Sequence, residues 1–351
     1  MGLIGGSFDK ALKQADESIH IGAYDRTHII KRALADGVID TIIFLIEDAL
    51  NYEIIIICLQ IDESIYIFNS LTSKLKQGQI ISDFCSVKIV FSELWNKNRK
   101  DGTYIGVHPM TGKEKGGYAN SDPLLFENSV FIICDEDKSS HQKEINTYFE
   151  LVKLSGARIT FLSPDIHDII TANVSHIPQL LSVLLVNQAD KQRGDISFID
   201  FAGGGFRDMT RIASSDFSVW KSILSNNSDE IINSLREYSA KLNGLILLLE
   251  KNDNDAIKEL FEKARTAREE IPFNSKGYLE CLFDITVFVK DEPGMISKIS
   301  TVLFKGNINI KDIELLKIRE GKGGNFKFYF ERESSAKRAK YLIEHEGFTT
   351  L

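Results

Sequence analysis

Apolar residues in the first half of the chain come in short runs separated by amphipathic stretches, and each run has the length of a single β-strand. After the opening "MGLIGGS", a helix "SFDKALKQA" leads to a strand "SIHIGAY", a helix "THIIKRALADG" and a strand "TIIFL". A strand "EIIIICLQI", a helix around "ESIYIFNSLTSKL" and a strand "QIISDF" come next, and "TYIGVHPM", "SVFIICDE" and "ARITFLSP" supply further strands. This alternation predicts a parallel sheet covered by helices, an α/β domain of Rossmann-like, doubly wound type over residues 1–163.

From "DIHDIITANVSHIPQLLSVLLVNQ" to "KARTAREEIPF" the apolar residues fall instead at three- and four-residue spacing. The pattern predicts an all-helical domain over residues 164–273, interrupted once at "DFAGGGFRDMTR". Period-two runs return at "GYLECLFDITVFVKDEPGM". Residues 276–351 read as strand, helix "ISKISTVLFKG", strand "INIKDIELLKI", turn "REGKGG", strand "NFKFYF" and helix "SAKRAKYLIEHEG", a small separate α+β module.

The opening residues Gly2, Leu3, Ile4 and Gly5 form a glycine-bearing stretch running straight into a helix. Such a turn holds a dinucleotide pyrophosphate on the helix N-terminus and normally follows a buried strand. No such strand precedes it, so the expectation is a doubly wound sheet with its first strand missing and with weakened nucleotide binding. The second strand ends in "GAYDR", which places Asp25 a little over twenty residues further on. An acidic residue there accepts hydrogen bonds from an adenosine ribose, which favours NAD over its 2′-phosphorylated form. Arg26 beside it keeps NADP open, and a plain turn-forming aspartate is the alternative reading.

The 351 residues are 43% hydrophobic and 26% charged, an ordinary globular balance. The net charge of −8 argues against nucleic acid or an anionic membrane surface as partner, since both demand a basic face. Cys58, Cys85, Cys134 and Cys281 are scattered, mostly in apolar runs, without the paired spacing of a metal or redox site. They read as reduced core thiols. The longest apolar stretches fall short of a membrane span and no charged-then-apolar leader precedes them, so the expectation is a soluble, unexported, cytoplasmic protein.

Two stretches carry the chemistry. In "GVHPMTGKEKGGYANSD", His108 sits where an apolar strand gives way to a turn broken by Pro109 and Gly112, at the carboxyl edge of the sheet where open α/β sheets bind ligands. Ser86, in "SDFCSVK" at the end of the preceding strand, joins it as a hydrogen-bonding group. In "FAGGGFRDMTRIA", three glycines precede a helix bearing Arg207 and Arg211, one turn apart on one face. That arrangement reads either as a flexible turn with a solvated helix face or as an anion site of bare amides and guanidinium forks.

The motifs "GLIGGS", "YDR", "SDFCSVK", "HPMTGKEKGG", "HDIITANVSHIPQLL", "GGGFRDMTRIASSDFSVW" and "DEPGMISKIS", in this order along nearly the whole chain, resemble the prephenate and arogenate dehydrogenases of tyrosine biosynthesis. The resemblance implies hydride transfer from a ring hydroxyl carbon to NAD while carbon dioxide leaves. It implies that His108 takes the hydroxyl proton, Ser86 holds the same hydroxyl and Arg211 binds a substrate carboxylate. Glu114, Gly204, Arg207 and Trp220 match positions around the substrate side chain, and the helical domain is where such proteins dimerise. His176 matches a site histidine, whereas Gln179 replaces a second one.

Cys85 stands for a common glycine and Gln60 for a common proline. The final module looks like a βαββαβ ACT regulatory domain, with Asp291, Pro293, Gly294 and Asn309 where such modules bind amino acids, and tyrosine is the expected effector. Prephenate is the expected substrate and arogenate the alternative. A different reading is a degenerate chain that senses an amino acid but handles nucleotide poorly.

Overall fold

The computed structural model describes residues 1–98, 101–113, 115–134, 142–270, 282–319 and 322–350. The chain divides into two compact units, Met1–Lys258 and Glu259–Leu351.

In the first unit the order is α1 (Leu3–Ala15), β1 (Gly22–Ala23), α2 (Thr27–Ala35), β2 (Thr41–Ile42), β3 (Ile54–Ile57), α3 (Ile61–Thr72), β4 (Ile80–Asp83), α4 (Ile89–Asn98), β5 (Thr103–Pro109), β6 (Val130–Cys134), α5 (Gln142–Leu154) and β7 (Arg158–Leu162). Strands β3 to β7 form one sheet in chain order. Consecutive residues of a strand face opposite sides, and the two sides are filled separately. Ile80, Ile105 and Val107 pack with Phe8, Phe126, Phe131 and Tyr148 on the α1 and α5 side. Ile81 and Tyr104 pack with Phe68, Leu71 and Phe91 on the α3 and α4 side.

Pairing is parallel across β3, β4 and β5, and again between β6 and β7, but β5 and β6 run antiparallel. The sheet is therefore mixed where the sequence suggested a parallel one. A parallel partner for β5 requires a crossover helix. Among the described residues, 110–129 hold only a single 3₁₀ turn at Tyr118–Asn120, and Met110 N–H donates to the Val130 carbonyl at 2.8 Å to bring the chain straight back.

The opening glycines are not a free turn, because α1 begins at Leu3 with Gly2 as its N-cap. A Cβ on Gly5 would lie 3.1 Å from Cys58 Cβ, and one on Gly6 would lie 2.8 Å from the Tyr118 ring. Both glycines thus let α1 pack against its neighbours.

Strands β1 and β2 pair only with each other, in parallel, and are two residues long where "SIHIGAY" and "TIIFL" suggested full strands. The facing edges of β1 and β3 have no strand between them among the described residues. Instead they border an apolar cavity of about 370 Å³, lined by Gly22, Ala23, Ile55, Ile57, Phe8 and Asp9 among others. A strand paired on one side only has half the ladder to hold its backbone extended, which accounts for the short β1 and β2. Met1 closes the end of this slot, its amino group ion-paired with Asp25.

The rest of the first unit is mostly helical: α6 (Pro164–Thr171), α7 (Ile177–Ala189), a hairpin of β8 (Gln192–Arg193) and β9 (Ile196–Ser197), α8 (Gly204–Thr210), α9 (Phe217–Asn226), α10 (Ser228–Glu250) and the start of α11 (Asn254–Glu270). The hairpin is a second interruption that the spacing did not announce. Helices α6 and α7 are joined by a π-helical turn, Ala172–His176. At the usual 3.6 residues per turn, His176 would lie about 80° round the axis from Asp168, and the wider turn takes up that offset. His167, Asp168, His176 and Gln179 consequently share one buried face. The continuous run Pro164–Ala189 also has the length of a membrane span, with a mean hydropathy of 1.6 over its most apolar 18 residues, and these four buried polar side chains lie along it.

The second unit carries β10 (Phe283–Val289), α12 (Met295–Lys305), β11 (Asp312–Arg319), β12 (Gly323–Phe330), α13 (Glu333–His345) and β13 (Thr349–Thr350). This is the expected βαββαβ order, and the sheet order is β11-β12-β10-β13 with antiparallel pairing throughout. Val287, Ile299, Leu303, Phe328, Phe330 and Ile343 form its core beneath the two helices. The thiols of Cys58, Cys85 and Cys134 are free; Cys281 lies outside the described residues.

Candidate active site

Strand β5 ends at Pro109, and His108 is its penultimate residue, half-buried at the carboxyl end of the sheet rather than on a turn beyond it. The His108 Nδ1 and His167 Nε2 atoms share a hydrogen bond at 2.8 Å. On its other side His167 Nδ1 meets Asp168 Oδ1 at 2.6 Å. Asp168 in turn accepts the main-chain N–H groups of Lys88, at 2.8 Å, and Ile89, at 2.9 Å. These are donors that the first turn of α4 leaves without intrahelical partners. One carboxylate therefore caps α4, anchors α6 and holds an imidazole whose opposite nitrogen reaches His108.

Beneath this line, the fully buried Lys88 is ion-paired with Asp83, which also accepts the Tyr104 hydroxyl at 2.7 Å and the Cys85 N–H at 3.0 Å. Burying a charge is costly unless it is paired and hydrogen-bonded, and both charges here meet that condition. Burial, reinforced by His167, Lys88 and His176, holds the His108 imidazole well below the ordinary histidine range. Burial also lowers His167 against the pull of Asp168, and pushes His176 down to about 4.

His176 packs edge-on to Trp220 with ring centroids 6.0 Å apart, and its Nδ1 lies 3.3 Å from Asn227 Nδ2. Asn227 also donates to the main-chain carbonyl of Asp168 at 2.9 Å, so His176 and Trp220 belong to the same assembly as His108. Gln179 donates to the Ile212 carbonyl at 2.9 Å and ties α7 to the turn that carries Arg211. Helix α8 stops at Thr210 and Arg211 opens a separate 3₁₀ turn, Arg211–Ser214, so the two arginines do not share one continuous helical face. Arg207, Arg211 and Gly204 are exposed. Ser86 is half-buried two residues before Lys88, and Glu114 lies outside the described residues. Cys85 is buried with its Sγ against the Leu59 carbonyl, and Gln60 is the N-cap of α3.

His167, Asp168, Lys88, Asp83, Tyr104 and Asn227 were not singled out by sequence reasoning. The available signal was charge embedded in apolar runs, in "SDFCSVKIV" and "DIHDII".

Beside the carboxyl end of β3, where Gly5 packs against Cys58, the N-terminus of α1 presents the main-chain amides of Leu3, Ile4 and Gly5, which have no partners inside the helix. Asp25, just past β1, is there too. Although burial works to raise its carboxyl, hydrogen bonds from the Met1 amine and the Arg26 N–H keep it below the ordinary range. The Arg26 side chain is exposed beside it. Amide donors next to a carboxylate acceptor suit a pyrophosphate flanked by a ribose.

In the second unit, Gly294 has φ +84° at the N-cap of α12. It borders, with Asp291, Met295, Ser297, Gly323 and Gly324, a cavity of about 320 Å³. Pro293 adjoins this loop, and Asn309 is exposed ahead of β11.

Two family models match the chain: the nucleotide-binding domain of prephenate dehydrogenase over residues 8–161 and its dimerization domain over residues 163–263. The prephenate dehydrogenase of Lactococcus lactis subsp. cremoris is 31% identical over 98% of this chain and 96% of its own length. That of Bacillus subtilis is 29% identical over 98% and 94%. Among solved structures, prephenate dehydrogenase from Aquifex aeolicus in complex with hydroxyphenyl propionate and NAD+ aligns with a TM-score of 0.70 at 26% identity, over 77% of this chain and 95% of that one.

Proposed function

The chain belongs to the prephenate dehydrogenase family, and on that premise we propose that it catalyses the NAD-dependent oxidative decarboxylation of prephenate to 4-hydroxyphenylpyruvate in tyrosine biosynthesis. The observation that carries the proposal is the placement of His108 at the carboxyl end of β5, with Nδ1 engaged by His167 and Nε2 left to face a ligand. Held well below the ordinary histidine range by burial, its imidazole is neutral near neutrality and able to take a proton from a ring hydroxyl. Ser86 holds the same hydroxyl. Arg211 grips a substrate carboxylate, with Arg207, Gly204, Glu114, His176, Gln179 and Trp220 around the remainder of the substrate.

When bound, the nicotinamide cofactor supplies the acceptor for the hydride. Gly2, Leu3, Ile4 and Gly5 hold its pyrophosphate and Asp25 its adenosine ribose, which selects NAD over NADP despite Arg26. Residues 1–163 act as the nucleotide domain, 164–273 as the substrate and dimerisation domain, and 276–351 as an ACT module. The apolar side chains of Leu242, Ile246, Leu247 and Leu249 exposed on α10 support a homodimer, working in the cytoplasm. In the ACT module, tyrosine binds against Asp291, Pro293, Gly294 and Asn309 and lowers activity; the cavity beside Gly294 supports this. A second reading, a protein with weak nucleotide affinity, is favoured by the slot between β1 and β3, which leaves the pyrophosphate end of α1 unsupported on its strand side.

Formation of reduced cofactor from NAD+ or NADP+, with prephenate or arogenate and with or without tyrosine, tests the proposal. Turnover of prephenate with NAD+ that tyrosine suppresses is the expected result. Binding of NAD+ without turnover of either substrate overturns it.

A further inference from the structure

A base must present a bare nitrogen to the proton it takes, and which ring nitrogen of a histidine is bare is set by the bond the other one makes. Asp168 accepts main-chain N–H groups on both oxygens and offers Oδ1 to His167, so the hydrogen of that contact is carried by His167 Nδ1. His167 Nε2 is then an acceptor. The 2.8 Å contact with His108 must place its hydrogen on His108 Nδ1, and His108 Nε2 is the nitrogen left bare.

We propose that His167 and Asp168 are positioning residues that lock His108 in the tautomer required of a general base. The proposal rests on the reading of His108 given above but concerns an arrangement that exists without substrate. The only covalent event it serves is transfer of one proton from the substrate hydroxyl to His108 Nε2, after which the Nδ1–H bond to His167 becomes charge-assisted and stronger. Charged and titratable groups face the pair from each packed element: Lys88 at the start of α4, Asp83 at the end of β4, Asp168 on α6 and His176 in the π turn. Two fully buried side chains, His167 and Asp168, complete the line, so bulk water does not compete for these bonds.

Imidazole nitrogen NMR of the full chain without ligands reads the tautomer directly, and kinetics with NAD+ and prephenate read its use. In the native protein His108 is expected as the Nδ1–H form. Asp168→Asn leaves one accepting oxygen for the N–H groups of Lys88, Ile89 and His167, which loosens the hold on the His167 tautomer and, through it, lowers the population of the His108 Nδ1–H form. Turnover then falls roughly 10²- to 10⁴-fold while KM for prephenate moves by less than about threefold.

His167→Leu removes the acceptor and lowers kcat in the same range. His167→Gln places an amide oxygen near the lost Nε2 and restores at least about a tenth of native kcat, with its melting temperature as the control for folding. Because Asp168 also caps α4, the glutamine and leucine pair keeps the test open if Asp168→Asn unfolds. A native spectrum with His108 in the Nε2–H form overturns the proposal, as does equal kcat in folded His167→Leu and His167→Gln. A native protein that shows the Nδ1–H form and its loss of population in Asp168→Asn, yet turns over neither prephenate nor arogenate, supports the tautomer lock and removes the substrate reading instead.

Discussion

The nucleotide-binding region is two lobes built from equally apolar segments. In the larger lobe, five strands form an uninterrupted ladder whose carboxyl end fixes His108, Asp83 and the start of α4. In the smaller lobe, β1 and β2 manage two residues each and face β3 across an apolar gap. Composition does not separate them, since "SIHIGAY" is as rich in strand formers as "TYIGVHPM". The difference lies in partners. Strands order one another, so the backbone is held more firmly where both edges of a strand are paired, as at β5, than where only one is, as at β1.

The sharpest way to separate the lobes is to disable one chemically and ask whether the other notices. His108→Asn should lower turnover by roughly 10²- to 10⁴-fold, the usual worth of a general base, while fluorescence titration finds NAD+ affinity unchanged. Loss of cofactor binding in that variant would mean that the lobes are not separable. Arg211→Ala should raise KM for prephenate roughly tenfold to a hundredfold, corresponding to a charge-assisted hydrogen bond of about 1.5–3 kcal/mol, with kcat nearly unchanged in steady-state assays.

The smaller lobe is tested by filling its gap. A variant with six to eight residues of Ile, Val and Gly added ahead of Leu3 should pair with both β1 and β3, tighten NAD+ binding and raise the melting temperature by roughly 10 °C if the added strand contributes about 4 kcal/mol. Calorimetry showing neither change would mean that the cavity is not a place for backbone.

Acid probes the larger lobe instead. His176 is pushed down to about 4 in the folded chain, below its unfolded value near 6.5, so between these values the unfolded chain binds more protons. Stability present above about pH 6.5 is therefore lost as pH falls towards 4. Denaturant titration should show the loss, about 3 kcal/mol from His176 at full titration, and Trp220 fluorescence should report it at the site. The kcat/KM profile should place its acid limb below 6.5, because His108 is shifted the same way. The smallest effect belongs to the second unit, where Gly294→Ala strains a φ of +84° and should cost about 1 kcal/mol and weaken tyrosine inhibition severalfold, with kcat untouched.

Much of the fold could be read from periodicity, because apolar runs and three-to-four spacing are local consequences of which face is buried. The order of elements and the βαββαβ end follow from it. So does His108, since a strand running into proline and glycine has to end at a sheet edge. Asp168 was hidden because adjacent titratable residues at the start of an amphipathic helix look like a solvated face. Only the approach of α4, some eighty residues earlier in the chain, makes that carboxylate a buried cap. Lys88 was hidden because a lysine five residues after an aspartate reads as an exposed pair; its burial with Asp83 becomes visible only once β5 brings the Tyr104 hydroxyl to that carboxylate. The shortness of β1 and the reversal of β6 depend on neighbours that no local pattern records.

The slot between the lobes also governs how the protein behaves when crowded. Each of its edges carries backbone donors and acceptors with no ladder partner, and the edge at β3 belongs to the run "EIIIICLQI", uncharged from Ile54 to Ile61, the kind of segment that stacks into intermolecular sheets. The two edges face each other across the gap of about 370 Å³. Parting of the small lobe would expose both edges, which makes this gap, rather than the ladder that carries His108, the place where warming invites association.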